Sequence, residues 1–90
     1  MRRGQRMHYA YVIRSIKNRR LYYGYSSDLK QRIEDHNRRK GGSYSSKNAP
    51  FELIYYEAYK SKEDARLAEE FFKSGYGREV LRNKLKHSLS

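Results

Sequence analysis

The sequence has no cysteine, no tryptophan, one proline and six glycines in 90 residues. Without cysteine it can build no disulfide, no thiolate zinc site and no thiol nucleophile. Its three histidines, His8, His36 and His87, are too scattered for a recognisable zinc motif. No apolar run approaches the roughly 18 residues of a membrane span. The basic start MRRGQRM leads into His8-Tyr9-Ala10-Tyr11, not into a signal-peptide core, so the expected compartment is cytoplasm or nucleoid, without a membrane partner. Acidic residues are also scarce, at 10 against 21 Lys plus Arg.

The resulting formal charge of +11 and mean hydropathy of -1.17 would suit a disordered chain. Ten Tyr and three Phe argue for a folded one, because each Tyr brings a large ring with a polar tip that sits comfortably half-buried. The charge is uneven: residues 1 to 45 hold 12 basic and 3 acidic side chains, and residues 46 to 90 hold 9 and 7. Such asymmetry predicts a positive face that attracts a polyanion over a Debye length of about 8 to 10 Å. A chain this short forms one domain that buries about 60% of its unfolded surface, enough for one sheet layer and a few helices.

Residues 1 to 7 are expected as a flexible basic arm, 8 to 86 as the domain and 87 to 90 as a tail. YAYVIRSI from Tyr9 to Ile16 and LYYGY from Leu21 to Tyr25 are rich in aromatic and β-branched residues and flank a polar turn, which predicts an antiparallel hairpin. Asp28 and Gln31 stand in capping-box spacing before a helix that runs to about Asn37. A basic, Ser-rich loop follows, and Pro50 closes it before a third strand over 51 to 59. Ser61 and Asp64 cap a second helix, Gly75-Tyr76-Gly77 should break it, and Arg78 to Lys86 reads as a short terminal helix. The predicted fold is α/β: a three-stranded antiparallel sheet with helices on both sides, in the order β-β-α-β-α-α.

Three constellations stand out. Tyr9 and Tyr11 share one strand face, and Gly24 in the second strand should mark a bulge or a close backbone approach. Arg32 and His36 project from one helix face, suited to holding a phosphate and moving a proton, or else forming a solvated face. Glu69 sits at the edge of the apolar stripe of the second helix, placed either to bind a hard metal or to form a helix salt bridge.

In this order, Tyr9-Ala10-Tyr11, Tyr22-Tyr23-Gly24, Arg32, His36 and Glu69 resemble the GIY-YIG nuclease superfamily over about residues 8 to 83. The likeness is to small single-domain bacterial members similar to the nuclease domain of the excision-repair incision subunit. The chain departs from the name motif at Tyr9, Ala10 and Tyr23. The resemblance implies divalent-metal-dependent hydrolysis of nucleic-acid phosphodiesters, DNA before RNA, with weak sequence specificity and a role of the DNA-repair kind. Tyr22 would act as general base or relay, Arg32 would stabilise the phosphate, His36 and Tyr11 would orient water, and Glu69 would anchor Mg2+ or Mn2+. Asn83 matches a late family asparagine weakly. Arg14, Arg38, Arg39, Lys40 and Lys47 are expected to contact nucleic acid, Arg2, Arg3 and Arg6 could add to them, and a protein partner could supply targeting. The alternative is a nucleic-acid binding module with little or no catalysis; a structural protein with an acidic partner is a further one.

Overall fold

The structure is a computed structural model that describes residues 6–38 and 48–90. Its element order is β1 (His8–Ser15), β2 (Leu21–Ser26), α1 (Leu29–Asn37), β3 (Phe51–Tyr59), α2 (Lys62–Lys73) and α3 (Gly75–Lys84), the expected β-β-α-β-α-α. The strands form one antiparallel sheet in the order β2-β1-β3, so the hairpin's first strand is central.

A central strand covered on both sides must be apolar on both faces, and β1 is. Ala10, Val12 and Ile13 are fully buried and Tyr11 is 3% exposed. Ala10 and Val12 point to one face, where they pack with Phe72, Leu81 and Leu85 from α2, α3 and the residue that follows α3. Tyr11 and Ile13 point to the other, with Ala49 and Phe51 and with Leu29 and Ile33 of α1 against them. The period-two alternation of one strand thus sorts the helices into two layers.

Local capping follows the sequence. Asp28 accepts from Gln31 N at 3.1 Å and Ser61 from Asp64 N, which satisfies backbone donors that a helix start leaves without partners. Asn37, the last residue of α1, clamps the start of β3: its amide donates to the Phe51 carbonyl at 3.1 Å and accepts from Phe51 N at 2.6 Å. The hairpin turn is organised by Ser15, which is fully buried. Its hydroxyl donates to the Asn48 carbonyl at 2.7 Å and accepts from Lys17 N and Asn18 N. Residues 87–90, expected as a tail, include Leu89, which packs against the Ala10 and Val12 face and accepts a hydrogen bond from Arg14 Nη1 at 2.9 Å.

One boundary differs from expectation. Gly75 and Gly77 do not separate two helices; α3 already begins at Gly75, and Ser74 alone is the joint. The Ser74 backbone N–H and hydroxyl both donate to the Phe71 carbonyl, ending α2, while the hydroxyl accepts from Gly77 N at 2.9 Å, starting α3. Gly77 is needed for clearance, since a Cβ there would lie 1.7 Å from the Phe71 carbonyl oxygen, whereas one on Gly75 would meet nothing within 4 Å. Gly77→Ala should therefore lower unfolding stability by about 1 to 3 kcal/mol, as overpacking does. Gly75→Ala should leave it unchanged or raise it by up to about 1 kcal/mol through the unfolded chain. Urea denaturation of the two variants checks the contrast.

Candidate nucleic-acid interface

The α1 face of the sheet holds four of the five residues singled out in the sequence, and three of them meet. Tyr11 lies under α1, and its hydroxyl is 3.3 Å from His36 Nε2 and 3.4 Å from Arg32 Nε. Both are long hydrogen bonds, but they converge on one oxygen. Arg32 donates to that oxygen, and the Tyr11 hydroxyl donates to His36 when its Nε2 carries no proton. The His36 ring also packs edge-on against Phe51, with centroids 5.4 Å apart.

Gly24 explains how Tyr11 reaches this place. It is the cross-strand partner of Tyr11, and a Cβ on Gly24 would lie 2.4 Å from the Tyr11 hydroxyl oxygen. The phenol therefore lies flat over the β2 backbone, the close approach that a glycine in a strand signals, with no bulge between β1 and β2.

Burial holds the His36 imidazole below its ordinary pKa of 6.5, the Arg32 guanidinium pushes it further down, and Asp35 opposes both. His36 is thus neutral at pH 7 and able to accept from Tyr11. Next to this cluster a groove of about 710 Å³ runs between α1 and the sheet, lined among others by Arg6, Tyr9, Lys30, Ile33 and Tyr56. Tyr9 and Tyr56 pack edge to face at 5.7 Å, and Tyr56 is 48% exposed.

The other residues are placed differently. Tyr22 shares the face but packs edge-on against Phe51 at 5.3 Å, and its hydroxyl is shielded from solvent. Of the two roles expected of it, general base or relay, a shielded hydroxyl suits the relay. Glu69 lies on α2, in the opposite layer, and is 14% exposed at its side chain. Its carboxylate accepts from Lys73 at 2.9 Å and faces Arg66 at 3.8 Å, the helix salt bridge that the sequence had left open. Both of these partners stand on its own helix, and among the described residues no group of three or more His, Asp or Glu side chains could hold a metal ion.

Arg14 requires a correction. It was expected to contact nucleic acid, but it is 8% exposed, bonds Glu52 at 3.0 and 3.2 Å across the sheet, and ties down the Leu89 carbonyl. A guanidinium with its donors occupied this way is structural. Arg38 is exposed at the end of α1 and Asn83 is exposed on α3, away from the Tyr11 face. Arg39, Lys40 and Lys47, like Arg2 and Arg3, lie outside the described residues. The sequence reading passed over Asn37, which positions His36 through its clamp on Phe51; its place one residue after His36 at a helix end was the available signal.

A model of the GIY-YIG catalytic domain matches residues 7–85. UPF0213 proteins of Streptococcus pyogenes serotypes M3 and M1 are each 45% identical over 65 residues, which cover 72% of this chain and 70% of theirs. The solution structure of the UPF0213 protein BH0048 from Bacillus halodurans superposes with a TM-score of 0.52 at 34% identity, over 86% of this chain and 83% of that one. None of these relatives is an excision-repair subunit. Among the described residues no helix is long and apolar enough to cross a membrane.

Two outcomes test the geometry. Gly24→Ala should cost about 1 to 3 kcal/mol and move the Tyr11 phenol off His36 and Arg32, shown by denaturation and by a changed His36 titration in NMR. Because the folded pKa of His36 is below 6.5, the unfolded chain binds the extra proton first. The stability this contributes is complete above about pH 6.5 and is lost as pH falls towards the folded pKa. Arg32→Ala should raise the His36 pKa, yet leave it below 6.5 because burial is the larger cause, a shift read from the imidazole resonances.

Proposed function

The chain belongs to the GIY-YIG catalytic-domain family, with the UPF0213 proteins among its relatives, and we propose that its Tyr11 face binds the phosphodiester backbone of nucleic acid, DNA first. The observation that carries this reading is the convergence of Arg32 Nε and His36 Nε2 on the Tyr11 hydroxyl, beside an aromatic groove whose walls carry Arg6 and Lys30 together with Asp28 and Glu34. Arg32 is exposed, so its guanidinium can accept a phosphate in its fork while Nε keeps Tyr11 in place. Tyr9 and Tyr56 offer π-faces on which bases stack without regard to sequence. Lys30 and Arg38 add charge that positions a backbone and specifies nothing.

Hydrolysis is the second reading, favoured by the polarised Tyr11 hydroxyl. With His36 neutral, a water held at the Tyr11 hydroxyl can give a proton to Nε2 as its oxygen bonds to phosphorus and the P–O bond to the leaving sugar oxygen breaks; Arg32 meets the charge on the phosphoryl oxygens, and the protonated His36 returns its proton to the leaving oxygen. The Mg2+ or Mn2+ expected at Glu69 does not fit the side chains as they stand, because the carboxylate is paired with Lys73 and Arg66 and, among the described residues, belongs to no group of three or more His, Asp or Glu side chains that could hold an ion. Involvement in DNA repair and a targeting protein partner belong to this reading.

Titrating fluorescent single-stranded and duplex DNA, and RNA, at several salt concentrations decides the first reading. Wild type should bind with an affinity that falls steeply with salt, and Arg32→Ala should weaken it for every sequence while reducing the salt slope by about 0.7 to 0.9 per phosphate lost. Unchanged affinity and slope in Arg32→Ala would remove the Tyr11 face as the site. Incubating DNA and RNA with the wild type, with and without Mg2+ or Mn2+, should give products that Arg32→Ala and His36→Ala lose if the second reading holds; intact strands throughout would leave binding alone.

A further inference from the structure

Across the sheet from Tyr11, the β1–β2 turn and α3 enclose a groove of about 630 Å³ lined by Arg14, Arg19, Arg20, Tyr23, Arg78 and Arg82. Arg14 is committed to Glu52 and the Leu89 carbonyl. The other four guanidiniums are exposed, and among the described residues none has an ion pair. No carboxylate lines the groove.

Folding alone gives little reason for this arrangement. Arg82 lies in the last turn of α3, where a cation suits the helix dipole, but Arg78 lies in the first turn, where it does not. The two are four residues apart on one helix, a like-charge spacing that destabilises. Arg19 has φ 63°, in the left-handed region where glycine or asparagine would be unstrained. The turn that carries it is held firmly: Arg19 N donates to the Ser15 carbonyl at 2.8 Å, Arg20 N donates to the Asn18 side chain at 2.9 Å, and the Asn18 amide donates to Asn48 at 2.6 Å. Arg78 Nη1 is anchored on the Lys73 carbonyl at 3.0 Å. The Tyr23 phenol lies at the groove; burial raises its pKa, against the pull of Arg78 and Arg82, so it remains a donor at neutral pH.

We propose that this groove is a second nucleic-acid site, in which Arg19, Arg20, Arg78 and Arg82 hold the phosphates of a second duplex segment while the Tyr11 face holds the first. Guanidinium forks match phosphate oxygens, and four without counter-charge favour a polyanion over a neutral ligand. The sheet lies between the two sites, so they face away from each other and one straight duplex does not reach both. One chain would thereby bring two duplex segments together. The inference rests on the Tyr11-face reading for its first segment, but the groove can be tested alone.

The full chain is mixed with an excess of short DNA duplexes, labelled in two colours, and followed by analytical ultracentrifugation and energy transfer. Wild type should carry two duplexes per chain and give energy transfer as a monomer. The double variants Arg78→Ala with Arg82→Ala, and Arg19→Ala with Arg20→Ala, should carry one and give none. Arg19→Gly should weaken the second binding step with an unchanged or higher Tm, which separates lost contact from misfolding. Groove variants that carry as many duplexes as wild type, whether one or two, would overturn the second site. Displacement by polyglutamate that depends on the groove arginines, without any duplex bound there, would overturn it in favour of an acidic protein. If Arg32→Ala keeps full stoichiometry while the groove variants lose a duplex, the Tyr11-face reading fails and the groove stands.

Discussion

Everything in this small fold depends on β1 being buried from both sides. A central strand of eight residues has two faces and no edge, so its alternation decides which side chains enter which layer. Ala10 and Val12 support the α2 and α3 layer, and Tyr11 and Ile13 support α1. A shift of register by one residue would exchange the two sets and put the Tyr11 phenol beneath the wrong helices. Position in the core and position at the α1 face are therefore the same property for Tyr11: its ring packs against the sheet, and its hydroxyl meets Arg32 and His36.

The charge on the molecule is organised around this sheet. Where a guanidinium is drawn inward it has a fixed partner, as Arg14 has in Glu52. Where it stays outside, on Arg32 or along the β1–β2 turn, it keeps donors for something beyond the chain. Among the described residues, Arg32 and Lys30 stand on the α1 side of the sheet and Arg19 and Arg20 at the groove on the other, to which the second half of the sequence contributes Arg78 and Arg82. Glu69 shows the reverse case, a carboxylate whose negative charge is answered by neighbours on its own helix.

The order of elements was legible because short-range signals agree with each other: aromatic and β-branched runs for strands, Asp28 and Ser61 for helix starts, and a polar turn between β1 and β2. The meeting of Tyr11, Arg32 and His36 was legible in outline, since Arg32 and His36 share a helix face. Other features depend on contacts between distant residues. Arg14 looks like any cation in a basic chain until the β1–β3 register places it across from Glu52, and an irregularity between Val12 and Ile13 hides that register from a simple count. Gly77 reads as a helix breaker by type, but its reason is the Phe71 carbonyl above it. Tyr22 and Tyr11 belong to similar motifs, and only packing shows that Tyr22 lies against Phe51 while the Tyr11 hydroxyl lies at Arg32 and His36. Arg19 and Arg20 read as a polar turn, because nothing local says that α3 will bring Arg78 and Arg82 to them.

The contact between Tyr11 and Gly24 also ties two positions into one unit of inheritance. A side chain cannot be gained at 24 while the phenol lies over it, and the absence of a side chain at 24 has little value once the phenol is gone. Among relatives of this fold, residue 24 is therefore a silent record of residue 11: a lineage that abandons the tyrosine is free to fill the gap, and one that retains the glycine still bears the imprint of the ring.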